Sequence, residues 1–322
     1  MSRRTALVVT AFASVYVIWG STYLGIRIAI DTIPPLAMAG ARFLLAGLLL
    51  YAFAIGRGER VADRPTRRQW RNAFIIGALL LGIGNGGVTF GEQYVASGVV
   101  ALLVATVPLW FAIFAHVTRV ESMNRYGMAG VVIGFLGVGL LLRPSGGDAS
   151  QLPWMLFVLG APLGWSIGSL FARVADVPSR PLVGTAMEMI GGGVLLCIAA
   201  AVHGEWGQVH LQSISLRSAI AFAGLVVFGS IVAFTAYVWL LHEASPAAVS
   251  TYAYVNPLVA VLLGWAVLGE AVHPQTLLAG LLIVIAVAVI LVSRSRERRT
   301  PAPATAMESA AIEERTKVAA AP

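Results

Sequence analysis

The amino-acid sequence predicts an all-α integral membrane protein of ten transmembrane helices arranged as a 5+5 inverted repeat. Two observations carry that prediction. Apolar runs recur at 6–30, 34–55, 70–91, 95–118, 125–142, 153–172, 181–202, 218–241, 245–268 and 274–293, and a helical crossing needs about 20 such residues. The last five runs also keep landmarks of the first five. An offset of 146 carries Trp19 onto Trp165, Arg27 onto Arg173, Pro35 onto Pro181 and Gly47 onto Gly193. An offset of 149 carries Pro108 onto Pro257, Leu109 onto Leu258 and Glu121 onto Glu270. Five is odd, so a duplicated unit re-enters the membrane from the opposite side. Repeats of this kind build secondary transporters, with a substrate site near the midplane.

Composition agrees. The chain is 58% hydrophobic and 11% charged, where soluble domains carry about 25% charged residues. Helices are the expected spans, because lipid demands that every backbone group be satisfied internally, and barrel strands would alternate in polarity. The single cysteine, Cys197, excludes an intrachain disulfide framework. The five histidines are scattered and HExxH and CxxC spacings are absent, so neither a metal nor a cofactor is expected. The net charge of +7 does not imply a nucleic-acid partner. With the N-terminus in the cytoplasm, 18 of the 22 Lys and Arg residues fall in cytoplasmic segments, as the positive-inside rule requires. Both termini are then cytoplasmic.

Taken in order, residues 6–142 form the first repeat and 153–293 the second. The first run is too long for the core of a cleaved signal peptide and reads as a retained helix. Within it, Trp19 and Thr22 belong to a Trp-Gly-Ser-Thr-Tyr stretch. Trp19 is too deep for an interfacial anchor, leaving pocket lining or core packing; Trp165 in the sixth run is its counterpart. Arg42, in the second run, lies eight residues past Pro34, about 12 Å along a helix. An intramembrane Arg costs about 2.5–3.5 kcal/mol even on a lenient scale and must face a cavity or a partner. The 146 offset sets Glu188 of the seventh run opposite it. The two are either a buried pair that fixes packing or a functional unit, with Glu188 the proton carrier and Arg42 a ligand for an anionic group.

Asn85, Thr89 and Glu92 share one face of the third helix, expected toward an aqueous cavity; for Glu92 the alternative, and the favoured one, is the outer interface. Thr106 and Pro108 lie mid-run in the fourth helix. Pro257 lies mid-run in the ninth, beside Tyr252, Tyr254 and Asn256, where one face is expected toward an aqueous cavity. Interrupted helices at matching repeat positions mark transporter sites. Glu121 and Glu270 are expected to be structural, near the N-terminus of the next helix. Gly82/Gly86, Gly130/Gly134 and Gly164/Gly168 form GxxxG pairs for close packing, and Gly191–Gly193 serves packing or a hinge. Residues 294–322 turn to Arg, Glu, Ala and Pro, a disordered cytoplasmic tail.

In this order and on this repeat, Trp19–Tyr23, Ala41-Arg42-Phe43, Pro108, Tyr252–Leu258 and Leu268-Gly269-Glu270 are similar to motifs of the EamA-type branch of the drug/metabolite transporter superfamily. The resemblance covers residues 6–293. It implies a central cavity and export of small metabolites such as amino acids or their derivatives, from a bacterial inner (plasma) membrane. Glu92-Gln93 departs from the apolar or aromatic residues common there in the family. The leading expectation is a secondary exporter of small metabolites or drug-like amphipathic compounds, working by alternating access and coupled to protons. Its partners would be a small-molecule substrate, the lipid bilayer and protons, in a monomer or homodimer. The alternatives are a membrane-embedded enzyme acting on a lipid-linked substrate, and a passive channel.

Overall fold

The computed structural model describes residues 3–56, 64–119, 121–143, 150–244, 246–249 and 251–297. Among these every regular element is helical. α1 (Arg3–Ala29) and α2 (Pro35–Gly56) are followed by a segment of α3 (Arg67–Gly77), a π-helical stretch (Ala78–Asn85) and α4 (Gly86–Gly91). Next come α5 (Ser97–Val104), α6 (Val107–Val117), α7 (Arg125–Leu141), α8 (Leu152–Val158) and α9 (Gly160–Ala172). After α10 (Pro181–Val202), α11 (Leu216–Gly224) runs through a second π-helical stretch (Leu225–Val232) into α12 (Ala233–Glu243). The chain ends with α13 (Pro246–Val249), α14 (Tyr252–Leu268) and α15 (Pro274–Glu297). Eight of these segments are long and apolar enough to cross a membrane, and α7 and α14 are shorter apolar helices.

Local chemistry places the boundaries. Proline opens α2, α10 and α15, where its fixed φ suits a first turn and its missing N–H is not needed. Thr66 and Gln69 form a reciprocal capping box on α3. Asn124 Oδ1 accepts from Gly127 N at 2.9 Å to cap α7, and Ser215 Oγ accepts from Ser218 N at 3.1 Å on α11. α5 stops at Val104 and α8 at Val158 because Pro108 and Pro162, four residues on, have no N–H to give their carbonyls. The fourth and sixth apolar runs are therefore each two helices rather than one. The tenth helix runs past its expected end at 293 to Glu297; residues 298–322 of the expected tail lie outside the described residues.

The two π-helical stretches are 147 residues apart, register for register. The packing is paired in the same way. α2 lies along α10 and α7 along α15, while α1 packs on α14 as α9 packs on α6. In lipid, such contacts rest on close backbone approach rather than on removal of apolar surface from water. A Cβ on Gly47 would lie 2.9 Å from Ile190 N, and one on Gly193 would lie 2.5 Å from Leu44 N. The GxxxG pairs are used within the chain: Gly82 meets Leu195, Gly130 meets Ile290, and Gly164 meets Ile83. Gly191, Gly192 and Gly193 all pack against neighbouring helices.

The end of the bundle opposite the termini, here the far end, is tied by carboxylates. Gly269 takes a left-handed φ of 67°, which closes α14 with a Glu270 N–H to Gly264 O bond of 3.1 Å. That turn swings Glu270 onto the start of α5, where it accepts from Ser97 N at 2.8 Å and Gly98 N at 3.1 Å. Glu270 thus caps α5, not the next helix as expected. Glu205 is 3% exposed and accepts from Ala37 N at 2.9 Å, in the first turn of α2. Burial raises the Glu205 carboxyl above its ordinary value, against the Ala37 and Leu36 amides and His203, which favour its charged form. At the near end, Arg173 Nη1 donates to Glu121 at 2.7 Å, and Arg4 pairs with Glu243 at 2.9 Å.

Candidate functional site

A cavity of about 140 Å³ lies in the bundle, walled by α1, α2, the first π-helical stretch and α4, the α5–α6 break, α9, α12 and α14. From α1 it takes Trp19 and Thr22, and from α2 Arg42. Asn85 enters from the end of the first π-helical stretch, and Trp165 from α9. Pro108 lies just past the helix break, and Tyr252, Asn256 and Pro257 come from α14. Three of the twelve residues singled out in the sequence are not in the wall: Thr106, Tyr254 and Glu188.

Each omission has a geometric cause. Thr106 is fully buried and its Oγ1 donates to Leu103 O at 2.6 Å, finishing the broken turn while Ala105 and Val107 face inward. Tyr254 lies two residues from both Tyr252 and Asn256, about 200° around a helix. It packs instead into the cluster of Leu109, Ala286 and Ile290. Glu188 follows from the α2–α10 contact. The face of α2 toward α10 carries Gly40, Leu44 and Gly47, so Arg42, two residues from Gly40 and Leu44, points away. Glu188 sits where α10 meets α3, its carbonyl oxygen against Gly77. The helices approach, but no ion pair joins Arg42 and Glu188 among the described residues.

Arg42 is 3% exposed. Its Nε donates to Ser230 Oγ at 3.0 Å, and its guanidinium carbon lies 4.7 Å from the centroid of the Phe43 ring. Ser230 belongs to the second π-helical stretch, as does Gly229, where a Cβ would stand 3.1 Å from Arg42 Nη2. Nη1 has no hydrogen-bond partner. A planar cation at a cavity wall with a spare donor suits a carboxylate or another anionic acceptor.

Trp19 packs beside the same π-helical stretch. Its Nε1 donates to Gly229 O at 3.2 Å, and its ring meets Phe234, Tyr237 and Tyr252 at centroid distances of 5.1, 5.1 and 5.2 Å. Thr22 turns its hydroxyl onto Trp19 O at 2.6 Å. With its amide oriented to satisfy its neighbours, Asn256 donates to the Tyr252 and Tyr16 carbonyls, each at 3.2 Å. Pro257 has no N–H for the Ala253 carbonyl, so α14 carries a freed acceptor at a residue of the cavity wall.

Sequence reasoning missed Ser230 and Phe234, and it favoured the surface for Glu92. An arginine at mid-depth demands a partner, but periodicity cannot say which serine supplies it. Phe234 carries no signal that separates it from the other apolar residues of its run. Glu92 was expected at the outer interface, yet it is 1% exposed. α4 packs on α8, with Gly91 against Val158, which encloses the end of this segment instead of leaving it at the surface.

Comparison with known proteins gives the chain its family. A model of the EamA-like transporter family matches residues 6–143 and again 152–292. The uncharacterized inner membrane transporter YedA of Escherichia coli K12 is 42% identical over 263 residues, 81% of this chain and 82% of its own. The uncharacterized transporter YoaV of Bacillus subtilis is 28% identical, covering 86% and 94%. A chain of known crystal structure superposes with a TM-score of 0.60 at 20% identity, covering 91% of this chain and 99% of its own. Apolar helices, one polar-edged cavity in their midst and two matches to one family model lead to one conclusion: the protein belongs to the EamA-like transporter family and is a multi-span membrane transporter.

Proposed function

We propose that the protein is a secondary exporter of small anionic or zwitterionic metabolites, amino acids or their derivatives among them. It works by alternating access and is coupled to protons. The observation that carries this reading is the Arg42 guanidinium at the cavity wall with Nη1 unpartnered, in a wall that also holds an aromatic box and Ala253, whose carbonyl Pro257 leaves without its helical donor. A carboxylate on Arg42 and an ammonium on the carbonyl would be held at once. Support for alternating access comes from the paired packing and the matched π-helical stretches, which fit two five-helix units, 6–142 and 153–293, in opposite orientation. Two halves of one design have two packings of similar energy, one open to each side.

The Lys and Arg distribution supports both termini in the cytoplasm, and the names of the relatives support a bacterial inner membrane. The lipid bilayer and protons complete the partners, in a monomer or homodimer. Glu188 is the proton carrier to which the repeat offset points. The test begins with cells overproducing the parent or Arg42→Ala, challenged with a panel of toxic amino-acid analogues. Compounds tolerated only with the parent then go into proteoliposomes with parent, Arg42→Ala and Glu188→Gln. The expected result is flux that depends on the pH gradient and is lost in Arg42→Ala. Absence of flux for every panel member defeats the reading, and unchanged, pH-insensitive flux in both variants removes both residues from the mechanism.

A further inference from the structure

Glu92 stands one residue past Gly91, the end of the third membrane segment. It is 1% exposed, and neither carboxyl oxygen has a hydrogen-bond partner. One helical turn before it, Val88 lines the cavity. Thr89 Oγ1 and Ser97 Oγ, on either side of Glu92 in sequence, are also buried without partners. A carboxylate enclosed without hydrogen bonds keeps its full desolvation penalty, whereas the carboxylic acid loses far less. In this packing the side chain is therefore accommodated as the acid.

The groups that act on it come from several elements. α1 carries Tyr23 and Arg27, with Asp31 3.7 Å from Arg27, α2 carries Arg42, the turn after α14 carries Glu270, and His203 packs on Phe90 of α4 at 5.6 Å. α5 and α8–α9, which also pack here, carry no titratable side chain. Glu270 is the like charge, and it is the group that ties α14 to the first amides of α5. Arg42 and Arg27 are the charges that would receive an ionised Glu92.

We propose that Glu92 is a proton-binding site of the carrier: protonated while Glu270 latches the far end, and ionised, beside the two arginines, when that end opens. Loss of the proton leaves a second negative charge near Glu270 and an enclosed carboxylate that only water or arginine can satisfy. Both effects favour opening of the far end. By linkage, protons favour the latched form. The role in transport rests on the carrier reading above; the proton switch itself is measurable without a substrate.

The experiment places Ala101→Cys, a buried wall position at this end, in a Cys197→Ala background and follows its labelling by a membrane-impermeant methanethiosulfonate. Rates are compared between this parent and its Glu92→Gln form at each pH, which cancels the titration of the reporter thiol. The expected result is a parent-to-variant ratio that rises about fivefold or more from about pH 5.5 to about pH 8.5, the scale of a modest coupling free energy. Glu92→Asp keeps the rise and Glu270→Gln raises labelling at the acidic end. A ratio that stays constant with pH overturns the proposal, as does a Glu92→Asp form that loses the rise while remaining monodisperse. If Glu92→Gln is not monodisperse, labelling in Glu270→Gln at acidic pH no faster than in the parent overturns it. A rising ratio without flux in proteoliposomes would retain the proton switch and reject the carrier reading, so the two failures are distinct.

Discussion

Arg42 and Ser230, 188 residues apart in sequence, are joined by a 3.0 Å hydrogen bond from Nε to Oγ. The bond ties α2 to the π-helical stretch of the eighth segment, and Nη1 stays buried without a hydrogen-bond partner. A π-helical turn displaces side chains from the 3.6-residue register, and this one sets a hydroxyl and a side-chain-free glycine beside the guanidinium.

Ser230→Ala removes a hydrogen bond to a charged group, which costs about 1.5–3 kcal/mol. Thermal unfolding in detergent is expected to report the loss. Arg42→Lys is expected to be no milder, because an ammonium cannot reach Ser230 and a ligand with a planar fork. Stability in Arg42→Lys equal to the parent would show that the bond contributes little.

The α14 wall makes a paired prediction. Tyr252 lines the cavity and Tyr254 packs behind it. Tyr252→Phe is expected to raise the KM for transport, and Tyr254→Phe to leave it within twofold or so, since a lost neutral hydrogen bond is worth about 0.5–1.5 kcal/mol. Equal shifts in both would mean that α14 presents another face during transport.

Helix contact can be tested apart from the cavity. A Cβ on Gly77 would collide with the Glu188 carbonyl oxygen, whereas one on Gly139 meets nothing within 4 Å. Gly77→Ala is expected to destabilise by about 1–3 kcal/mol, and Gly139→Ala to stabilise by up to about 1 kcal/mol through helix propensity. Unfolding midpoints measure both.

Glu205 predicts a pH dependence. Its carboxyl is raised above 4.5 by burial at the start of α2. A raised value means that the folded state holds the proton more tightly than the unfolded state does. Stability from this group is full below about 4.5 and is lost as pH rises through the folded value. The stability of Glu205→Gln relative to the parent is therefore expected to climb with pH from 4.5 upward and then level off. A difference independent of pH would place the burial cost elsewhere.

Much of the fold was legible in the sequence. Apolar run length places the helical segments because lipid tolerates no unsatisfied backbone, and proline and cap residues place the helix ends within and between those runs. Nine of the twelve residues chosen for the site meet at one cavity, for depth and polarity within a span are both readable from position. The rest was not legible. The pairing of Arg42 with Glu188 followed from depth alone, but rotation about the helix axis decides contact. That rotation is set by the Gly40–Leu44–Gly47 stripe that α2 turns toward α10. Glu92 looked interfacial because it ends an apolar run, and a run does not say what packs over its end.

The sequence by itself determined that this chain spans a membrane, that its halves share a plan, and that an arginine stands mid-depth in need of a partner. The tertiary structure alone decided that the partner is Ser230, that Glu270 ties α14 to α5, and that Glu92 is enclosed with both oxygens bare. The physical reason is the same in each case. Hydropathy and spacing act along one helix at a time, while hydrogen bonds and burial depend on which faces of different helices meet.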